Sequence, residues 1–226
     1  SRSAAANTPL EPDRGGNPDL RPERIANLEA GFDRNLAGDA GILGANVYLR
    51  RTRDFVERRQ TLDGARWIDR PYNAGDARHW GLELSAKLRT DALAFLKGGS
   101  LRTQLTLPRG AVDDPRLGLT RPVRELPHYN FSLGYEGPLP AGQSTWGFRW
   151  QQNGAVKTVL PGELSAETRR RDLLDLHVVR RLDAALNLRL SLQNILGADT
   201  RRFASAWSGA DAWHLDTREA GQRTWL

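Results

Sequence analysis

Short segments in which apolar and polar residues alternate recur along this sequence, and they constrain its fold more than any other feature. A period of two is typical of a β-strand whose two faces meet different surroundings, whereas a helix repeats at three and four. Eight such segments are present and a ninth begins near Thr217; their apolar stripes lie at 28–32, 43–49, 80–88, 101–107, 129–135, 146–150, 174–178 and 186–192. The pattern predicts an all-β chain of about nine strands.

The connections between these segments alternate in length without exception. Short turns are expected at 37–40, 90–92, 137–143 and 183–184, and long loops at 55–76, 108–126, 155–167 and 198–216. Outer-membrane barrels have short turns on one side of the membrane and long loops on the other, whereas a soluble β-sandwich has no reason to sort its loops by end. We therefore predict part of an antiparallel up-and-down transmembrane β-barrel, with the apolar stripes facing lipid and the polar faces lining the lumen.

Composition excludes several classes of protein. The chain has no Cys, so neither disulfides nor Cys-ligated metal sites are possible. It has no apolar run of about eighteen residues, which excludes a transmembrane helix but not barrel strands of about ten residues. The net charge is +6, but each long loop is close to neutral, so no nucleic-acid partner is predicted. Since the chain also lacks Met and an apolar signal segment, we expect a fragment of a longer exported protein.

Several motifs, in order, resemble those of TonB-dependent outer-membrane receptors. Residues 17–23 read NPDLRPE and lead into the strand with Glu29-Ala30-Gly31, and three weaker matches follow, at 81–84 (GLEL), 126–129 (LPHY) and 188–197 (LRLSLQNILG). The resemblance spans residues 17–225. It implies the C-terminal part of a barrel of about 22 strands, preceded in the family by a plug domain and a TonB-binding segment. The family ends on an aromatic residue, usually Phe, whereas this chain ends on Trp225-Leu226, so we expect it to stop within a strand.

The resemblance also implies a function and a location. Residues 1–23 are expected to form an extracellular loop segment, and residues 24–226 the C-terminal portion of the barrel. The implied function is active uptake of a ferric siderophore, cobalamin, haem or glycan across the bacterial outer membrane, with TonB engaged through a region outside this chain. The implied ligand is a small molecule such as a metal chelate. A passive porin or structural barrel is the alternative, and a soluble all-β binding module is a third.

No catalytic, cofactor or metal site is predicted, and we do not expect an enzyme. Glu29 and Glu83 lie on polar strand faces, where networks with Arg50, Lys87 and Arg89 are a simpler expectation than a catalytic pair. Loops commonly carry binding residues. The candidate ligand contacts are therefore aromatic and histidine residues in or beside the long loops, namely Trp67, Tyr72, His79, Trp207, Trp213 and His214.

A second candidate surface follows from strand parity. Extending the outward stripes to the long-loop end of the wall places Arg24, Arg51 and Arg53 away from the lumen. The planar guanidinium donates two hydrogen bonds to a phosphate, so we expect these three residues to contact lipopolysaccharide. The alternative is that each arginine lays its stem on lipid and its head in water, as at any membrane interface.

Overall fold

The computed structural model describes residues 7–93, 96–139 and 143–225, which form fifteen strands and one short 3-10 helix, Ala37–Asp39. Within these ranges no helix is long and apolar enough to cross a membrane. The strands are β1 Asp13–Arg14, β2 Arg24–Asn35, β3 Gly41–Asp63, β4 Arg66–Arg89, β5 Ser100–Asp114, β6 Leu119–Pro122, β7 Asn130–Pro138, β8 Ser144–Asn153, β9 Val156–Leu160, β10 Leu164–Thr168, β11 Arg171–Arg181, β12 Asn187–Gln193, β13 Thr200–Ser208, β14 Asp211–Glu219 and β15 Thr224–Trp225.

Nine of these strands form one antiparallel wall in simple sequential order. From one edge to the other the order is β2, β3, β4, β5, β7, β8, β11, β12 and β15, and the sheet does not close on itself. The prediction of an all-β, up-and-down segment of an incomplete barrel is confirmed. The last strand is short: β15 pairs with the end of β12 over two residues, and the predicted continuation to Leu226 lies outside the described residues.

The register of the wall aligns the apolar stripes on one face. Leu49 lies opposite Leu28 on one side and Trp80 on the other, and the same matching runs across the wall to Leu190, opposite Val178. The stripe is uncovered: Leu28 is 70% exposed and Leu190 is 56% exposed. The core of a sandwich requires a second sheet packed on such residues. Within the described residues no second sheet packs on these leucines. Apolar surface of this extent suits lipid rather than water.

The long connections are not irregular loops, and in this respect the sequence-based prediction was wrong. Segment 55–76 continues β3 and β4 to a two-residue tip at Gly64 and Ala65. Segments 155–167 and 198–216 contain the hairpins β9–β10 and β13–β14, which pair through β10 and β13 into a separate four-stranded sheet. In 108–126, β5 extends to Asp114 and β6 folds back on it. With about 3.4 Å per residue, the 24 residues of β4 far exceed the roughly ten needed to cross a membrane.

A paired irregularity marks the point where the β3–β4 hairpin leaves the wall. Thr52 lies opposite Ala77, Phe55 opposite Gly75 and Val56 opposite Asn73, so each strand has one extra residue and the original register is restored. Asp54 and Gly75 both adopt positive φ, at 55° and 125°. A Cβ at Gly75 would collide with the carbonyl oxygen of Asp113, so glycine is required there.

The opposite end of the wall has the short turns. The Asp183 carboxylate accepts the backbone N–H groups of Ala185 and Leu186 at 2.7 and 2.9 Å and closes the β11–β12 turn. The predicted turn at 90–92 is longer than expected, because β5 begins only at Ser100. The predicted turn at 137–143 includes residues 140–142, which lie outside the described residues. Tyr135, which is in the outward stripe, is buried over Gly99 and Gly137 and donates to the carbonyl of Leu96.

At the long-connection end the projecting elements share two small cores. Ala74, Ala77, Val112 and Val123 form one, against Phe55 and Tyr72. Leu160, Leu164 and Ala206 of the four-stranded sheet form the other, against Leu10 and Leu117. Leu10 belongs to the segment before β2, which also adds β1 in parallel to β4. The segment preceding the wall and all four long connections therefore fold into one assembly, which we call the apex.

Candidate ligand site

A buried ionic network fixes β6 to the base of the projecting hairpin. Arg121 is only 2% exposed; its Nε donates to Asp114 at 2.9 Å and its Nη2 donates to Glu57 at 2.7 Å. Nη2 also donates to the Tyr72 hydroxyl at 3.3 Å, and the backbone N–H of Arg124 donates to Glu57. Burial works against the charged guanidinium, but its bonds to Glu57 and Asp114 raise the pKa of Arg121 above its usual value. The network holds β6 against the base of the hairpin and fixes the backbone of Arg124, which lines a neighbouring cavity.

Two adjoining cavities lie in the apex. The larger has a volume of about 680 Å³ and the smaller about 370 Å³, and both are lined by Pro9, Gln60 and Leu164. Phe55, Arg124 and Arg202 line the larger one, with carboxylates and further arginines on its walls: Glu11, Glu57, Asp69, Glu125, Arg14 and Arg58. Ligand sites commonly have volumes in this range and mix apolar walls with a few polar groups. The arrangement suits a small molecule with both aromatic and charged groups.

Arginine donors without partners distinguish these cavities. The buried Nε of Arg124, in the larger cavity, has no hydrogen-bond partner in the described chain, and neither has the Nε of Arg59 in the smaller one. Other nitrogens of both side chains are held: Arg59 Nη2 donates to Glu163 at 3.2 Å, and Arg124 Nη1 donates to the carbonyl of Arg58. A buried donor without an acceptor is costly, and protein atoms cover both of these Nε atoms. Sequence reasoning missed both arginines, since nothing in one sequence distinguishes them from the other basic residues.

Three of the candidate ligand residues come together at the tip of the apex. Trp67 of β4 and Trp213 of β14 meet edge to face, with ring centroids 5.6 Å apart. Trp67 and Trp207 both line the smaller cavity. Trp213 packs behind Trp67 and holds its ring at the cavity wall. Sequence separations of more than a hundred residues kept this pairing out of reach of local pattern analysis.

The other three candidates are placed apart from these tryptophans. Tyr72 faces the ionic network, and its burial, reinforced by the Glu57 carboxylate, raises the pKa of its hydroxyl above the usual value. His79 lies within β4 and meets Phe55 edge to face. His214 lies on the face of β14 opposite to Trp213, where its Nδ1 is 2.9 Å from the Ser205 hydroxyl oxygen.

On the polar face of the wall the expected acid–base networks differ from those observed. Glu83 accepts from the Asn46 amide at 3.5 Å and Glu29 accepts from the Asn27 amide, whereas Arg89 pairs with Asp91. No ion pair joins these glutamates to the expected basic residues in the described part of the wall, so that expectation was wrong. The polar face nevertheless bears a cavity of about 550 Å³ near the short turns, lined by residues that include Lys87, Arg102, Arg149 and His177.

The three arginines expected at the outer surface lie at the predicted end of the wall. Arg24 pairs in register with Arg53, and Ala26 pairs with Arg51. Both pairs share the face of the Leu28–Leu49 pair, because Arg24 and Ala26 precede Leu28 by four and two residues on β2. Arg51 forms an exposed ion pair with Asp76, with Nη2 and Oδ2 3.4 Å apart. The placement follows strand parity, and Arg51 is partly neutralised.

The fold and these surfaces define a class of protein: the wall of a membrane β-barrel whose long connections form an apex with two cavities at one end. The family model for TonB dependent receptor-like, beta-barrel matches residues 4–195, and the chain belongs to this family. A comparison with curated proteins gives no match. Proteins of the family are transporters of the bacterial outer membrane rather than enzymes, and in general they bind a ligand and interact with TonB.

Proposed function

We propose that this chain forms part of the wall and the ligand-binding apex of a receptor for TonB-dependent active uptake of a scarce nutrient. The candidate cargoes are a ferric siderophore, cobalamin, haem or a glycan. One observation carries the proposal: the segment before the wall and all four long connections converge on adjoining cavities lined by tryptophan and arginine. We orient the wall with its long connections outside the cell. Residues 1–23 are then assigned to an extracellular loop segment, and residues 24–226 to the C-terminal portion of the barrel with its projecting hairpins.

The chemistry of the apex favours a ligand that has both a planar apolar part and hydrogen-bond acceptors. Trp67 and Trp207 offer broad apolar faces, and aromatic side chains bury large areas with little loss of conformational freedom. Arg59 and Arg124 line the two cavities and bring positive charge to them. A metal chelate, with an organic ligand around its ion and acceptor oxygens on its surface, matches these groups better than an uncharged sugar does.

The proposal is tested by uptake measurements on the full-length receptor, expressed in cells that lack their own transporters. Each radiolabelled candidate cargo is supplied with and without TonB, and with and without a protonophore. Uptake of one cargo that needs both TonB and the proton gradient supports the proposal. Uptake that persists without either would instead identify the passive porin that remained an alternative.

Binding at the apex is tested with Trp67→Ala. We expect the affinity for the cargo to fall by about tenfold or more, as for an aromatic residue at the centre of a binding site. The matched control is His214→Ala, on the opposite face of β14 from Trp213, which should leave affinity unchanged. Equal effects of the two substitutions would place the ligand elsewhere.

We also propose that Arg24, Arg51 and Arg53 contact the phosphates of lipopolysaccharide where the wall emerges from the membrane. Their common face with the uncovered apolar stripe supports this. Replacing all three with Gln should reduce the lipopolysaccharide retained by the purified receptor. Retention equal to that of the unmodified receptor would leave the interfacial role, with stems on lipid and heads in water, as the explanation of these arginines.

A further inference from the structure

A groove on the lipid-facing side of the wall shares no lining residue with the two apex cavities. Trp80 and Leu107 form its floor, Pro127 and Val159 its sides, and Arg109 and Lys157 its basic rim; its volume is about 840 Å³. We call it the outer groove. Trp80 and Leu107 belong to the uncovered apolar stripe, since Trp80 lies opposite Leu49 and Leu107 lies opposite Leu82. The outer groove thus begins on the lipid-facing surface and opens toward the apex.

The position of the outer groove along the wall is that of a membrane interface. Trp80 is the last large apolar residue of its stripe, and the next residue on the same face toward the apex is Arg78. Tryptophan and arginine commonly meet at this level, where the ring sits at the depth of the lipid headgroups. One side of the outer groove is formed by β9, which belongs to the four-stranded sheet and has its exposed Val159 beside the groove.

The cation on the rim is held in place without being neutralised. Arg109 Nη1 donates to the backbone carbonyls of Pro108 and His128 at 2.8 and 2.9 Å, and its guanidinium forms no ion pair with any described carboxylate. Lys157 lies across the opening, with its Nζ 3.8 Å from Glu167 in a loose, solvent-exposed pair. A guanidinium fixed by two carbonyls over an apolar floor recognises an anionic head attached to an apolar body.

We infer that the outer groove binds one molecule of lipopolysaccharide, with a phosphate of its lipid portion on Arg109 and Lys157 and an acyl chain along Trp80 and Leu107. The inference rests on the proposed orientation of the wall, in which the long connections face outward. Charge and shape both select this occupant. A free phosphate would leave the apolar floor uncovered, and an uncharged lipid would leave Arg109 without an anionic partner.

The experiment measures lipopolysaccharide that remains bound when the full-length receptor is purified from outer membranes in mild detergent, quantified by native mass spectrometry. The groove variant is Arg109→Gln with Lys157→Gln. The matched control is Arg34→Gln with Lys97→Gln, which removes the same charge at the short-turn end; Arg34 lies opposite Leu43 on the same lipid-facing surface. We expect the groove variant to show roughly tenfold lower occupancy of one lipid per receptor, since bonds to charged groups are lost, and any lipid held at Arg24, Arg51 and Arg53 to remain. The control should retain as much lipid as the unmodified receptor.

A second arm separates the lipid from its headgroup alone. Val159→Gln keeps the charge but makes the groove wall polar, and it should also reduce retention; a water-soluble glucosamine phosphate without acyl chains should not displace the bound lipid. Full retention by the groove variant, or effective displacement by the sugar phosphate, would overturn the inference while leaving the proposed uptake untouched. Loss of lipid only in the Arg34 and Lys97 control would overturn the orientation of the wall and the inference together. Cargo uptake, measured in parallel, should be unchanged in the groove variant.

Discussion

Arg121 provides the sharpest test of how the apex is held together. Replacing it with Met keeps an unbranched apolar stem but removes the only described cation paired with Glu57 and Asp114. Two carboxylates would then be buried near each other without a compensating cation. Breaking a buried ion pair from one side destabilises by about 3–5 kcal/mol, which corresponds to roughly a two- to four-order increase in local opening.

Hydrogen exchange on the detergent-solubilised receptor reads this opening directly. We expect the protection of β6 and of the segment that follows it, residues 119–126, to collapse in Arg121→Met, while the wall strand β2 is unaffected. The matched control is Arg78→Gln, which removes an exposed pair, since Arg78 and Asp113 are 56% and 50% exposed and 3.3 Å apart. Solvent-exposed pairs contribute little, so the control should exchange like the unmodified protein.

A rescue variant separates charge from packing. Changing Glu57 to Leu and Asp114 to Asn together with Arg121→Met removes all the buried charges, and the Asn side-chain oxygen can still accept the backbone N–H groups of Arg116 and Leu117, now 3.1 and 3.3 Å from Asp114. Most of the lost protection should return, because replacing a buried ionic group as a whole is often neutral. Indistinguishable exchange in Arg121→Met and Arg78→Gln would refute the reasoning.

Two further predictions concern other parts of the chain. Asp199 accepts the backbone N–H of Gly221 and pairs with Arg218, and these contacts hold its pKa below the usual 3.8. The stabilisation is therefore present above about pH 4 and is lost as the pH falls through the lowered value. Tryptophan fluorescence should change on acidification in the unmodified protein, and this change should be smaller in Asp199→Asn. Gly81→Ala places a Cβ 2.6 Å from the Tyr48 hydroxyl and should cost about 1–3 kcal/mol in urea unfolding, whereas Gly31→Ala, with its nearest neighbour at 3.5 Å, should be nearly neutral.

The wall was predictable because each of its strands separates two environments. A strand with lipid on one face and polar surroundings on the other must alternate, and that alternation is visible without any knowledge of partners. The stripe from Leu43 to Leu49 and its match across β4 follow from this requirement alone. Strand order was equally accessible, since short turns force sequential neighbours to pair.

The projecting strands were missed because this requirement does not hold beyond the membrane. From Glu57 to Gln60 the sequence reads Glu-Arg-Arg-Gln, and polar residues on both faces give no period of two. These strands are held instead by backbone ladders and ion pairs such as Arg58 with Asp69, 2.5 Å apart. Such pairs lie across strands, and for Arg121 and Glu57 they span 64 positions. Charged residues of both signs are common along the chain, so no local signal identifies which ones meet.

For the candidate ligand site, residue type was informative but geometry was not. Trp67 and Trp207 were chosen as tryptophans in long connections, and both line one cavity. The same argument selected His214, which the strand register turns to the other face of β14. Parity within β13 and β14 could not be used, because the sequence pattern predicts a loop at 198–216.

The compensated irregularity at Asp54 and Gly75 has a consequence for how such a receptor can diversify. Since each strand carries one extra residue and the register is the same on both sides, the tip above this point can change without shifting any lipid-facing side chain below it, as long as Glu57 is kept as the partner of Arg121. A chimaera joined between Arg53 and Asp54 on β3 and between Gly75 and Asp76 on β4 would keep its membrane surface while it acquires a foreign tip. The irregularity thus separates the register of the membrane-facing strands from the sequence of the tip.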